Sequence, residues 1–116
     1  MEKEYRTKTL KRSNLEEKEY NISNFNFKVI YTPGHSNDSI SFYFPNEKVM
    51  FTGDFLFEGT IGRVDLPTGS EKDMFYSLQL IKKYPEDILI YPGHGEVSTL
   101  KEEFKNNIYL LNLRNI

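Results

Sequence analysis

The sequence contains no cysteine. Disulfides, zinc–thiolate sites and cysteine nucleophiles are therefore excluded. Tryptophan is also absent, and histidine occurs only twice. Neither sign of charge prevails, with 15 Lys plus Arg against 17 Asp plus Glu and a net charge of −2. That balance excludes a basic nucleic-acid binder and a strongly acidic tail protein. No apolar run approaches the roughly 18–20 residues that span a bilayer. The start, Met1-Glu-Lys-Glu-Tyr-Arg6, has no apolar stretch of the signal-peptide kind. The expectation is a cytoplasmic chain with neither nucleic acid nor membrane among its partners. No Gly-x-Ser-x-Gly elbow, P-loop or dinucleotide fingerprint is present, so serine hydrolase, NTPase and dehydrogenase readings are poorly supported.

The 116 residues make room for one domain. Residues 1–20 hold eleven charges of both signs and show no clear period. They read as a solvated, flexible leader before a folded part at 21–116. From Phe25 the chain turns apolar and punctuated. Phe27–Thr32, Ser39–Phe44 and Val49–Thr52 read as strands with tight connections, an antiparallel meander. Val49–Thr52 is nearly all apolar, which predicts burial on both faces. A loop from Gly53 to Gly69 carries four glycines, and a loop of that length is usually functional. Ser70-Glu-Lys-Asp73 resembles a capping box before Met74, Leu78 and Ile81 at helical spacing. Ile88–Tyr91 is a fourth strand. Thr99-Leu-Lys-Glu102 is a second capping box, and Leu100, Phe104, Ile108 and Leu111 are expected on one face of a last helix. The order βββ-loop-α-β-α predicts a mostly antiparallel sheet with two helices on one face, an α/β (α+β) fold.

One pattern carries chemistry. Val29–His35, Val49–Asp54 and Ile88–His94 are each an apolar run, a glycine and then a polar residue. Both histidines of the chain stand directly after Pro-Gly. Each strand supplies a stiff base, and each glycine permits a sharp turn or a close approach. If the strand ends meet, two imidazoles and one carboxylate converge, a donor set that suits zinc. A carboxylate can also bridge two metals. Taken singly, a Gly-His or Gly-Asp after a strand is turn chemistry; the three together make a metal site as plausible as not. Asp38 reads as a turn cap or an imidazole partner. Arg63 and Asp65 read as a mutual ion pair or as contacts to an anionic substrate.

Thr32-Pro-Gly-His-Ser36, Phe51-Thr-Gly-Asp-Phe-Leu-Phe57, Ile61-Gly-Arg-Val-Asp-Leu-Pro67 and Tyr91-Pro-Gly-His-Gly95 resemble motifs of the metallo-β-lactamase superfamily. The resemblance is to its glyoxalase II-like, hydroxyacylglutathione hydrolase-like branch, and it extends from about Asn24 to Asn107. It implies an αββα sandwich of two similar halves, of which this chain resembles the C-terminal half alone. It further implies a two-zinc site, with His35 on one metal, Asp54 bridging both and His94 on the other, serving hydrolysis of a thioester. Arg63 becomes a candidate substrate contact, although the lysine and tyrosine that contact glutathione in that branch are not clearly matched. The family's His-x-His-x-Asp-His motif is absent, which leaves each metal two protein ligands where about four are needed. No residue of this chain is assigned a catalytic role. The expected protein is a fragment of a binuclear hydrolase, inactive alone. The alternative is a non-catalytic half-domain that binds or dimerises. A sheet face left uncovered, with Phe42, Phe44, Met50 and Phe51 as candidates for exposure, predicts a homodimer or a partner carrying the N-terminal half.

Overall fold

The computed structural model describes residues 15–113. Most of the charged leader expected over 1–20 lies outside the described residues. Its last part enters a strand, β1 (Glu19–Ile22), paired antiparallel with β2 (Phe25–Tyr31). The chain continues through β3 (Ile40–Phe44) and β4 (Val49–Gly53) as the expected antiparallel meander. Next comes a small hairpin, β5 (Leu56–Phe57) and β6 (Thr60–Ile61), inside the long glycine-rich loop from Gly53 to Gly69. Helix α1 (Glu71–Ile81), strands β7 (Leu89–Pro92) and β8 (Ser98–Thr99), and helices α2 (Leu100–Asn106) and α3 (Ile108–Leu111) complete the order. The main sheet runs β1-β2-β3-β4-β7-β8, with β4 and β7 parallel and every other pair antiparallel. Among the described residues no helix is long and apolar enough to cross a membrane.

The period-2 alternation of strands divides the sheet into two faces. Ile30, Met50 and Ile90 point to the helices and join Met74, Leu78, Ile81, Leu100 and Leu110 in one core. Each such side chain contributes about 1.5–3 kcal/mol through burial. Met50, expected on the uncovered face, is wholly buried in this core. Its neighbours Val49 and Phe51 point the other way and are only half-buried. Strand β4 is therefore not buried on both faces, because among the described residues helices cover one face of the sheet only. The other face is aromatic. Phe27 stacks on Tyr20 and Phe44, Phe44 meets Phe51 edge-on, and Phe51 tilts against Tyr91, at centroid distances of 5.2–5.8 Å.

Both predicted caps are formed. Ser70 Oγ accepts from the Asp73 backbone N–H, and Thr99 Oγ1 accepts from that of Glu102. Glu71 and Asp73 in the first turn of α1 suit the positive end of the helix dipole. The last helix departs from expectation. Asn107 leaves the helical region, at φ −80 and ψ 114, and splits it in two. The break shifts the phase of the apolar face, so Ile108 and Leu111 are exposed and Leu110 turns inward instead.

Candidate metal centre at the sheet edge

Strands β2, β4 and β7 run in the same direction, because β3 is antiparallel to both β2 and β4 while β7 is parallel to β4. Their C-terminal ends therefore emerge at one edge of the sheet. His35, Asp54 and His94 follow those three ends and line a single cleft of about 490 Å³, together with Phe57 and Arg63. His35 Nε2 and Asp54 Oδ2 stand 3.7 Å apart, and both side chains are largely buried. The residues preceding Asp54 and His94 are tied directly, since Gly93 N–H donates to the Gly53 carbonyl at 2.9 Å.

Each segment is held by its surroundings. The Pro33-Gly34 turn is docked on α1: Ser77 Oγ donates to the Pro33 carbonyl, and the Ser70 N–H donates to the Gly34 carbonyl. Gly34 has φ +145, and a Cβ there would meet the Met74 backbone at 2.7 Å. Only glycine allows the histidine turn to lie this close to the helix. Asp54 leaves β4 through Gly53, at φ 55, where the β4–β7 register shifts between Phe51 and Gly53. Such a bulge re-aims the side chain that follows it. Thr52 secures this corner by donating its hydroxyl to the Leu56 carbonyl at 2.8 Å. The His94 ring stacks on Phe57, with centroids 4.6 Å apart.

The ring of His35 has a defined orientation. Its Nδ1 lies 2.9 Å from the Arg63 carbonyl oxygen. A carbonyl can only accept, so Nδ1 carries the proton, and in the neutral ring Nε2 is the bare nitrogen facing Asp54. The backbone of Arg63 thus supports the site, while its side chain turns to Asp65. The guanidinium makes a two-pronged ion pair with that carboxylate at 2.7 and 3.0 Å. The hydrogen bond from Arg63 holds the Asp65 carboxyl below its usual range, and the Arg63 guanidinium is shifted up by the same bond. Asp38 behaves as a turn residue, accepting from Ser36 Oγ at 2.8 Å.

The imidazoles and the carboxylate are metal donors by type, and the Nδ1 bond aims one of them. Their number falls short. Among the described residues no group of three or more His, Cys, Asp or Glu is placed to hold an ion. The residues present fit a share of a metal's coordination sphere, not a whole one.

Two further residues shape the site that the sequence reading does not single out. Phe57 stands in the sequence only as the last residue of the motif Phe51–Phe57, with no role of its own. Gly62 is one of the loop's four glycines and part of the motif Ile61–Pro67, and a Cβ at its position would run into the Asp54 carbonyl and the His35 ring at once. The density of glycines in this loop was the available hint.

Residues 5–94 match the family model described as the Metallo-beta-lactamase superfamily. A probable metallo-hydrolase of Streptococcus pyogenes is 40% identical over 89 residues, covering 76% of this chain and 38% of its own length. A hydroxyacylglutathione hydrolase of Haemophilus influenzae is 40% identical over 91 residues, covering 77% of this chain and 42% of its own. Among solved structures, the B3 metallo-β-lactamase BLEG-1 superposes with a TM-score of 0.78 at 40% identity, over 82% of this chain and 46% of that one. A protein solved in a di-iron-bound form superposes with a TM-score of 0.75, also at 40% identity, over 83% and 47%. The chain thus spans less than half the length of these relatives.

Proposed function

Because the chain belongs to the metallo-β-lactamase superfamily, we propose that it supplies the C-terminal half of a binuclear metal-dependent hydrolase of the thioester-cleaving, hydroxyacylglutathione hydrolase-like type. In this reading His35, Asp54 and His94 are its share of the metal donors, for zinc or a similar divalent ion, with the Asp54 carboxylate between the two metals. Arg63 stands at the cleft and contacts an anionic part of the substrate once released from Asp65. The observation that carries the reading is the 3.7 Å approach of His35 Nε2 to Asp54 Oδ2, in a cleft that His94 also lines. The shortage of donors supports the second element, that the chain does not hydrolyse thioesters by itself. The remaining donors come from a partner carrying the N-terminal half, seated on the aromatic sheet face.

A second reading, a non-catalytic module that binds or dimerises, is favoured by that same face. It forms an open groove of about 910 Å³ whose walls include Phe25, Phe27, Phe42, Phe44 and Phe51. A contiguous exposed apolar surface of this kind is where a partner or a second copy would seat.

One experiment separates the two. The purified chain is mixed, with zinc, with the N-terminal half of the Haemophilus influenzae relative and assayed on a glutathione thioester. The hydrolase reading expects turnover in the mixture only, lost with Asp54→Ala. Turnover by the chain alone would overturn the inactive-half reading. An inactive mixture, with sedimentation showing a dimer of this chain, would establish the binding module instead.

A further inference from the structure

Glu103 is a carboxylate on α2 with only 2% of its surface exposed. A buried carboxylate is costly unless its oxygens are hydrogen-bonded. Here its oxygens meet donors. Its Oε1 accepts from the Gly59 backbone N–H at 2.9 Å and from Asn107 Nδ2 at 2.8 Å. Its Oε2 accepts from Ser98 Oγ at 2.6 Å. Asn107, fully buried, also donates to the Thr60 carbonyl at 3.1 Å.

The places of these donors in the chain give the cluster its meaning. Gly59 and Thr60 belong to the tip and second strand of the β5–β6 hairpin. Thr60 is the cross-strand partner of Phe57, the residue whose ring lies on His94. Ser98 opens β8, where the loop that carries His94 rejoins the sheet. One buried carboxylate therefore holds both segments that meet at the ring stack: the hairpin behind Phe57 and the end of the loop behind His94.

We propose that Glu103 is a positioning residue for the cleft, fixing the pose of His94 by anchoring the Phe57 hairpin and the start of β8 to helix α2. The assignment is independent of which reaction, if any, the site serves. It assigns Asn107 a linked role: the residue that breaks the last helix turns its amide into the same cluster.

The test is proton NMR of the imidazoles in the full chain. With two histidines in the sequence, the signals are assigned by His35→Asn. Phe57→Leu removes the ring-current effect on His94 and sets the scale of displacement. Glu103→Ala is expected to move the His94 signals by most of that displacement and to leave those of His35 in place. Glu103→Gln keeps an oxygen for Gly59 and Asn107 and is expected to return His94 close to its native shift. Leu110→Ala, a core truncation outside the cluster, is expected to lower stability without moving His94. A folded Glu103→Ala chain with unmoved His94 signals, or one in which both histidines move alike, would overturn the proposal. If Glu103→Ala does not fold, Ser98→Ala decides. It removes one of the three donors and is expected to give a smaller displacement of His94 in the same direction, and none would refute the assignment.

Discussion

Gly62→Ala isolates the cost of crowding at the cleft. The Gly62 N–H donates to the Phe55 carbonyl at 3.1 Å, which presses the loop onto the turn that carries Asp54. A Cβ added there would overlap the Asp54 carbonyl oxygen and come within 3.2 Å of His35 Nδ1. The obstacle is backbone, so no rotamer change relieves it. Overpacking of this kind costs about 1–3 kcal/mol, and loss of the bond to Phe55 adds about 0.5–1.5 kcal/mol. Against this, alanine lowers the entropy of the unfolded chain, worth about 0.4–1 kcal/mol in favour of folding. The balance is a destabilisation of roughly 2 kcal/mol, or about 8 °C in Tm for a chain of this length. Gly59→Ala is the contrast. Its φ is +79 and a Cβ there would meet nothing within 4 Å, so the expected loss is backbone strain alone, about 1–2 kcal/mol. Urea unfolding measures both, with the m-value checking that the unfolded state is unchanged. The two variants also differ at the site: only Gly62→Ala is expected to displace the His35 imidazole signals. A Gly62→Ala chain as stable as the parent, with His35 unmoved, would refute the close packing of this loop on Asp54 and His35.

Other predictions concern charge and packing. The Asp65 carboxyl is expected to titrate below the ordinary carboxylate range because Arg63 hydrogen-bonds it; Arg63→Gln should move it back toward that range, as followed by carboxyl NMR. Its lowered value means that its contribution to folding is present above the ordinary range and fades as the pH falls through the lowered one. Tyr43 is expected to ionise above the usual tyrosine value, through burial first and then the neighbouring Tyr84. The stability linked to Tyr43 is thus present at neutral pH and lost as the pH rises through the raised value, and Tyr84→Phe should reduce the shift seen in tyrosinate absorbance. Met50→Ala should cost about 2–5 kcal/mol, since Met50 is fully buried. Phe25→Ser, at a residue 51% exposed on the aromatic face, should change stability by less than about 1 kcal/mol. It should nevertheless reduce hydrophobic-dye binding, and an unchanged dye signal would contradict the open aromatic groove.

What was legible in the sequence was local. Ser70 and Thr99 cap helices because a hydroxyl reaches an N–H three residues ahead, a geometry contained within one turn. Alternating residues exposed β3, and the run, glycine and polar residue pattern exposed His35, Asp54 and His94 as residues mounted on strand ends. Inference from spacing failed where a fixed period was carried through a break. Ile108 and Leu111 keep helical spacing with Leu100 on paper. Asn107 ends that register because its amide is drawn to Glu103 and to the Thr60 carbonyl. Met50 counts as a candidate for the bare face because Val49, Met50 and Phe51 are all apolar, and composition alone cannot say which face of such a run the helices will cover.

The amino-acid order by itself determined the four main strands β2, β3, β4 and β7, the capped starts of α1 and α2, and which three residues stand at strand ends with donor atoms of metal-ligand type. Those properties depend on φ/ψ preference, capping and periodicity, all of which act over a few residues. Tertiary structure decided how those residues are aimed. The bond that sets the His35 tautomer spans 28 positions to Arg63, and those from the hairpin tip to Glu103 and Asn107 span 44 and 47. No local period encodes partners so distant. They meet because the sheet brings the ends of β2, β4 and β7 to one edge and the helices pack on one face, which leaves the aromatic face open and lets Glu103 be buried among donors.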